Sequence, residues 1–156
     1  MKWTKEMIHE TVMAQRAFFD TGATLSVSWR IEQLQKLKEA VKKKQTVLEE
    51  ALAQDLGRCA TEAYLADIGT VLLETQEAID HVRQWAKAET HFSGLLNFPS
   101  LFTKVYKMPY GVSLIISPFN FPFLLSLGVL SAAMAAGNTA IIKASSKSVH
   151  CTNALK

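Results

Sequence analysis

The sequence predicts an α/β fold in which a helical N-terminal half leads into a small parallel sheet. Apolar residues recur at helical spacing through most of the first 90 residues, which is typical of amphipathic helices. Two short β-branched runs, 111–117 and 139–143, flank an apolar stretch long enough for about 3–4 helical turns. A strand, a helix and a second strand form one right-handed crossover unit of such a sheet.

The N-terminal half predicts three helices. The first covers residues 5–19, with Thr4 as its N-cap. The second covers 28–54 and ends at Gly57, and the third covers 61–88, opened by Thr61. Long helices joined by a few residues lie antiparallel and bury their apolar stripes together, so this half is expected to be scaffold.

Residues 91–110 differ in character from the helical half. Gly94, Pro99 and Pro109 interrupt any helix, and residues 101–108 read as a strand. Lys104 and Lys107 suit an edge strand that faces water. A surface hairpin with no partner is one alternative for this segment.

The run from 111 to 143 is the centre of the prediction. Residues 111–117 are uniformly apolar enough to predict a strand buried on both faces, and Pro118 ends it. A buried helix over 124–136 is ended by Gly137, before the strand 139–143. In open α/β sheets ligands bind beyond the carboxyl ends of the strands, so the loops 118–122 and 143–146 are the candidate site.

Composition excludes several classes of protein. A formal charge of +3 on 156 residues, without a basic stripe, gives no reason to expect nucleic acid. The two cysteines and four histidines lack the spacing of a disulfide framework or a metal site, so no metal is expected. The charged N-terminus does not resemble a signal peptide, and a reducing cytoplasmic location is expected.

A membrane span is not predicted either. Residues 108–142 carry no charge, but Pro118, Asn120 and Pro122 interrupt them. The apolar remainder, 123–137, is shorter than the ~20 residues that a span needs. A membrane-associated protein built around this run remains an alternative.

Motifs in both halves of the chain resemble the aldehyde dehydrogenase superfamily. The sequences SPFNFP (117–122), AAGN (135–138) and KASS (143–146) correspond in order to its Pro-aromatic-Asn-aromatic-Pro loop, its helix end and its Lys-Pro-Ser/Ala-Glu loop. The approach MPYGVSLIISP (108–118) and the upstream runs EALAQDLG (50–57) and TEAYLADIG (61–69) resemble the class 3-like branch. The resemblance covers nearly the whole chain.

The resemblance implies a domain organisation. Residues 1–90 would be the helical lead-in of the cofactor domain, and 91–110 a strand-rich projection for oligomerisation. Residues 111–156 would begin a truncated Rossmann-like NAD(P)-binding domain. Because the strand–helix–strand pattern stops within a final amphipathic segment, 148–156, the chain is expected to be an N-terminal fragment of a longer enzyme.

The resemblance also implies an activity. Enzymes of this superfamily use NAD or NADP to oxidise a small aldehyde to a carboxylic acid through a cysteine thiohemiacetal. Their nucleophilic cysteine, glutamate base and Gly-rich turn correspond to positions beyond residue 156, and neither Cys59 nor Cys151 has the nucleophile's context. The chain alone is therefore expected to be inactive.

The resemblance assigns roles within the first loop. Asn120 would be the oxyanion donor, since a side-chain amide offers two N–H groups and does not titrate. Residues Ile116, Ser117, Pro118 and Phe119 would approach the nicotinamide side of the cofactor. On residue pattern alone, Asn120 could equally shape a proline-flanked turn.

In the second loop, Lys143 would bind the adenosine ribose, with Ser145 and Ser146 beside it. Ser146 stands where the superfamily commonly has a glutamate that accepts from the 2′-hydroxyl group. A serine does not repel a 2′-phosphate, and Lys147 adds a positive charge. The sequence therefore favours tolerance of NADP alongside NAD.

Other functions are compatible with the same sequence. A semialdehyde reductase linked to acyl-CoA or phosphate belongs to the same superfamily and would share these motifs. A non-enzymatic module, in which the helical half docks a partner, belongs to a different class. Exposed apolar surface on such a chain predicts a homo-oligomer.

Overall fold

The computed structural model describes residues 3–156. Its N-terminal half contains helices α1 (Lys5–Asp20), α2 (Val27–Lys43), α3 (Gln45–Leu56), α4 (Ala60–Ala63) and α5 (Gly69–Trp85). The Thr4 hydroxyl accepts the backbone N–H of Met7 at 3.3 Å, which confirms the predicted cap of α1. Helices α2 and α5 pack against each other and bury the predicted stripes.

The single helix predicted over 28–54 is wrong. Lys44, with φ −97° and ψ 5°, separates α2 from α3. Helix α3 then packs against α4 and against the last helix of the chain, so tertiary contacts set the break. Gly57 ends α3 as expected, with φ 68°.

The helix predicted over 61–88 also differs from the structure. It begins at Ala60, after Cys59, and its α-helical part ends at Trp85. Between α4 and α5 lies a π turn, Tyr64–Ile68, in which the N–H of Gly69 bonds to the carbonyl of Tyr64. A Cβ atom on residue 69 would lie 2.8 Å from that carbonyl oxygen, so glycine suits the turn.

The strand predicted over 101–108 is present but shorter, and it forms part of a hairpin. Strand β1 (Glu89–Phe92) pairs antiparallel with β2 (Phe102–Val105), and both strands are exposed along their length. Lys107 forms an ion pair with Glu89 at 2.7 Å, which also lowers the pKa of that carboxyl. The hairpin stands apart from the two hydrophobic cores.

The predicted strand–helix–strand unit is present. Strand β3 (Val112–Ile116) pairs parallel with β4 (Thr139–Lys143). A π turn (Leu124–Gly128) and helix α6 (Val129–Ala135) connect them. Gly137, at φ 89°, ends the helix as predicted.

Burial within this unit is less complete than the sequence suggested. Leu114 and Ile116 are 63% and 67% exposed, so the expectation that β3 is buried on both faces is wrong for this chain. Strand β3 pairs with β4 alone, and no described residue covers that face. Helix α6 likewise exposes Val129, whereas Phe123 just before the π turn is fully buried.

The last helix, α7 (Val149–Ala154), packs on α3. Within the predicted amphipathic segment 148–156, Val149 is exposed and Cys151 lies in the core. The Asp55 carboxylate accepts the backbone N–H groups of His150 at 3.2 Å and Cys151 at 2.7 Å. This carboxylate therefore fixes the start of α7 across 96 residues of sequence.

None of the helices within residues 3–156 has both the length and the hydropathy of a membrane span.

Candidate functional site

The carboxyl ends of β3 and β4 lie side by side. Ile116 is opposite Lys143 in the parallel register. The N–H of Ser117 donates to the carbonyl of Lys143 at 3.1 Å, one step past the end of β3. The two predicted loops therefore leave the same edge of the sheet.

The loop after β3 carries Asn120 at its exposed part. Pro118, Phe119 and Asn120 are exposed, whereas Pro122 is buried at the base. Asn120 thus stands at the carboxyl edge with its side chain accessible, where a substrate could reach it.

Arg58, in the turn between α3 and α4, contacts this loop. Its Nη2 donates to the carbonyl oxygen of Asn120 at 2.8 Å, and its guanidinium lies 4.7 Å from the ring centroid of Phe121. Its Nη1 donates to Asp67 Oδ2 at 3.2 Å, and its Nε lies 3.6 Å from Glu62 Oε1. The Arg58 side chain is 10% exposed and that of its partner Asp67 is fully buried, whereas Asn120 and Glu62 are exposed.

Asp67 completes the support. It lies in the π turn, its side chain is fully buried, and its Oδ1 accepts the backbone N–H of Leu124. Burial raises the pKa of this carboxyl to about 6, although the Leu124 N–H and the Arg58 charge act in the opposite direction. The carboxylate therefore joins Arg58 to the start of the helix that follows the loop.

The loop after β4 is shaped by local hydrogen bonds. Ser145 Oγ accepts the N–H of Lys147 at 3.2 Å, and its carbonyl accepts the Thr152 hydroxyl at 2.9 Å. Lys143 and Ser146 are exposed. Lys147 Nζ lies 5.2 Å from the ring centroid of Phe119, a cation–π contact that joins the two loops.

The structure thus places all eight sequence-predicted site residues at one edge of the sheet. Arg58 and Asp67 were not predicted as site residues, and Arg58 follows Gly57 without a motif around it. Asp67 offered one usable signal, since it falls at helical spacing between the apolar residues Ala63 and Val71. A buried acid at that spacing needs a partner.

The thiols and imidazoles lie elsewhere. Cys59 and Cys151 are free, and burial, aided by the neighbouring Asp55 carboxylate, raises the pKa of Cys151 to about 12. That thiol is therefore a poor nucleophile. The four histidines are exposed, and no group of three potential metal ligands occurs in the described part of the chain.

The candidate site is an open edge and not an enclosed pocket. A shallow concavity of about 460 Å³ lies beside Lys5 and His9 on α1. Another, of about 300 Å³, lies between α3 and α7 beside Glu50 and His150. Neither includes a predicted site residue, and their lining offers no catalytic grouping.

Known proteins resemble the chain along its whole length. Residues 1–156 match the Aldehyde dehydrogenase family. The chain is 41% identical over 152 residues to 4,4'-diaponeurosporen-aldehyde dehydrogenase of Staphylococcus aureus, covering 96% of this chain and 32% of that protein. It is 39% identical over 145 residues to aldehyde dehydrogenase family 3 member F1 of Arabidopsis thaliana, covering 93% and 30%.

Solved structures agree with the fold. The substrate-bound state of Staphylococcus aureus AldH superposes with a TM-score of 0.91 at 39% identity, covering 100% of this chain and 33% of that one. Glyceraldehyde-3-phosphate dehydrogenase GapN of Methanocaldococcus jannaschii, complexed with NADP, superposes with a TM-score of 0.82 over 99% of this chain and 32% of that one. At 23% identity, the second likeness shows the fold alone.

The chain spans about a third of the length of the relatives it matches. The predicted α/β fold and the resemblance to family 3 relatives are both confirmed. Since the family match covers every residue from 1 to 156, the chain belongs to the aldehyde dehydrogenase family.

Proposed function

We propose that this chain is the N-terminal third of an NAD(P)-dependent aldehyde dehydrogenase and supplies its oxyanion donor, Asn120. The observation that carries the proposal is the placement of Asn120: its side chain is exposed at the carboxyl edge of the parallel sheet, while its backbone carbonyl is anchored by Arg58. An exposed amide on a fixed backbone suits a group that must donate hydrogen bonds from a set position.

The chemistry of Asn120 follows from its amide group. When a nucleophile attacks an aldehyde, the carbonyl oxygen gains negative charge. The NH₂ group of Asn120 donates to that oxygen and needs no proton transfer of its own. A donor that is in place before the charge appears stabilises the transition state more than the ground state.

The residues at the sheet edge fit a nicotinamide cofactor, which accepts a hydride when bound. The exposed Lys143 ammonium is available to ribose hydroxyl groups, and the exposed Ser146 hydroxyl places no negative charge beside a 2′-phosphate. Ile116, Ser117, Pro118 and Phe119 form the approach to the nicotinamide side. Use of either NAD or NADP is therefore part of the proposal.

The hairpin β1–β2 is proposed as the contact between copies in a homo-oligomer. Large apolar side chains in and around it are more than half exposed: Phe92, Leu95, Leu96, Phe98 and Phe102. Burying them against a second copy removes apolar surface from water. Sedimentation velocity of the chain tests this part, and a monomer at all concentrations contradicts it.

The proposal places the enzyme in the reducing cytoplasm, in keeping with two free thiols. It also places the nucleophilic cysteine and the glutamate base outside these 156 residues. Sequencing of the encoding DNA beyond the codon for Lys156 tests that placement. A stop codon there contradicts the proposal, and about two thirds more of the family's length supports it.

The catalytic role of Asn120 is tested in the complete enzyme. Asn120→Ala is expected to lower kcat by about 10²–10³-fold, the usual cost of losing one oxyanion donor. Asn120→Asp keeps the shape but replaces the donor with a negative oxygen, so an equal or larger loss is expected. Asn153→Ala, at an exposed position on helix α7, is the matched control and should retain activity. An unchanged kcat for Asn120→Ala removes the assignment.

A further inference from the structure

The loop that carries Asn120 has few backbone hydrogen bonds of its own. Pro118 and Pro122 lack N–H groups, so the loop cannot form a regular ladder. At the base of the loop, the backbone N–H of Leu125 donates to the carbonyl oxygen of Phe121. The conformation near the exposed amide must therefore be held from outside the loop.

Arg58 supplies one of these outside contacts. It binds the carbonyl oxygen of Asn120 itself and stacks over the next side chain, Phe121. A guanidinium presents several N–H donors in one plane, so it can hold a carbonyl and a carboxylate at the same time. Those two partners are Asn120 and Asp67.

Asp67 supplies a second contact, to the backbone of Leu124, four residues after Asn120. Its Oδ2 receives Arg58 Nη1 at 3.2 Å, and its Oδ1 receives the N–H of Leu124. The pair thus holds the backbone at residue 120 and again at residue 124. Between these two points the chain is short and contains the rigid ring of Pro122.

Stability alone does not account for this arrangement. A buried ion pair is often no more stabilising than an apolar pair of similar volume, because removing both charges from water is costly. Here the Arg58 guanidinium and the Asp67 carboxylate also bind backbone groups, the carbonyl of Asn120 and the N–H of Leu124. Such contacts fix a geometry, and the group whose geometry they fix most directly is Asn120.

We propose that Arg58 and Asp67 are positioning residues, which hold the backbone around Asn120 so that its side-chain amide points at the reacting oxygen. This inference rests on the proposed function of Asn120. Misplacing a catalytic group by 1 Å can cost about 10²-fold in rate. Removal of the Arg58 guanidinium is therefore expected to reduce the rate even though Arg58 itself is not proposed to contact the substrate.

The first part of the test uses the complete enzyme and five variants. Arg58→Met keeps the length and removes the donors, and it is expected to lower kcat/KM for the aldehyde by about 10–10²-fold with the cofactor Kd unchanged. Arg58→Lys keeps the positive charge but not the planar set of N–H donors of the guanidinium, and intermediate activity is expected. Arg83→Met, an exposed arginine on α5, is the matched control. Asn120→Ala, alone and combined with Arg58→Met, forms a double-mutant cycle.

The cycle separates positioning from a general structural role. If Arg58 acts through Asn120, then Arg58→Met lowers the rate less than twofold when Asn120 is already alanine. An equal loss in both backgrounds, or no loss in the first, overturns the inference. Failure of the proposed function looks different, because Asn120→Ala alone then leaves the rate unchanged.

Arg58→Met leaves the buried Asp67 carboxylate without its cation, so a second variant that removes both charges tests the inference independently of that loss. Arg58→Met combined with Asp67→Asn removes both charges and retains an acceptor for the N–H of Leu124. Circular dichroism checks its fold. A folded double variant with full kcat/KM contradicts the inference, and a folded one with the same loss as above supports it.

Discussion

The guanidinium of Arg58 donates to the backbone carbonyl oxygen of Asn120 at 2.8 Å, across 62 residues of sequence. The contact joins the turn between α3 and α4 to the loop after β3. The helical half is therefore more than a cover for the sheet, since one of its charged groups binds the backbone of a candidate catalytic loop. Changes to this polar cluster are expected to alter both stability and the loop.

Replacing Asp67 by Asn is expected to change how stability depends on pH. Burial raises the pKa of Asp67 from an ordinary value of 3.8 to about 6. Between pH 3.8 and pH 6, the folded chain therefore retains a proton on Asp67 that the unfolded chain has lost. This group therefore favours folding most below pH 4 and progressively less up to pH 6. The groups that face it are Arg58, with Glu62 beyond, and the Cys151 thiol.

The measurement is urea unfolding of the 156-residue chain at several pH values. Relative to Asp67→Asn, the wild-type chain should lose about 2–3 kcal/mol of unfolding free energy between pH 4 and pH 6. Comparing variant with wild type cancels the titration of the other groups. A constant difference across this range contradicts the raised pKa.

Asp55 is expected to show the opposite dependence. Partial burial opposes its ionisation, but the N–H groups of Cys151 and His150 outweigh that and lower the pKa of Asp55 below 3.8. Its contribution is therefore present above pH 4 and is lost as the pH falls through the folded value. Asp55→Ala should cost about 1–2 kcal/mol at pH 7, as for a lost helix cap, and less at pH 3.

The same urea titrations test this prediction, and Glu50→Ala, at an exposed position on α3, is the matched control. Equal destabilisation by Asp55→Ala at both pH values would mean that the carboxylate charge is not what stabilises α7. Because Asp55 and Asp67 shift in opposite directions, a general effect of acid on the chain cannot mimic both results.

The sequence was most informative where local chemistry decides the structure. Pro118 ends β3 and Gly137 ends α6 by their own backbone restrictions, so both boundaries were predictable. The break at Lys44 was not, because the lysines around it favour a continuous helix and the packing of α3 decides otherwise.

The candidate site likewise has one part that was predictable from the sequence and one part that was not. The parallel pairing of β3 with β4 brings Asn120 and Lys143 to one edge, and this follows from the order of the elements. The contacts of Arg58 and Asp67 span 62 and 57 residues and follow no periodic pattern. A motif locates the amide, whereas only the folded chain shows what holds it.

Gly137 is expected to tolerate no side chain. Its φ of 89° is strained for any L-residue, and a Cβ atom there would lie 2.5 Å from Arg30 Nη2. Arg30 cannot withdraw easily, because it is buried and donates to the carbonyls of Thr24 at 2.6 Å, Ala135 at 3.2 Å and Leu25 at 3.3 Å. Gly137→Ala should therefore cost about 3 kcal/mol or more, combining backbone strain with broken hydrogen bonds.

Gly57→Ala is the matched control for Gly137→Ala. Its φ is 68°, but no atom lies within 4 Å of the added Cβ, so backbone strain of about 1–2 kcal/mol is the whole expected cost. Thermal or urea unfolding of both variants measures the difference. Equal losses at the two sites would show that the contact with Arg30 relaxes at no cost.

Ser146→Glu is expected to shift cofactor preference in the complete enzyme. Ser146 is exposed beside Lys147 after β4, and a carboxylate there would repel a 2′-phosphate and accept from a 2′-hydroxyl group. The ratio of kcat/KM for NADP to that for NAD should fall by about 10-fold or more, since each 1.4 kcal/mol of repulsion is worth a factor of ten. Ser146→Gln has the same size without the charge and should change the ratio much less. If both variants shift the ratio equally, size and not charge determines cofactor choice at this position, and the proposed contact of Ser146 with the 2′-group fails.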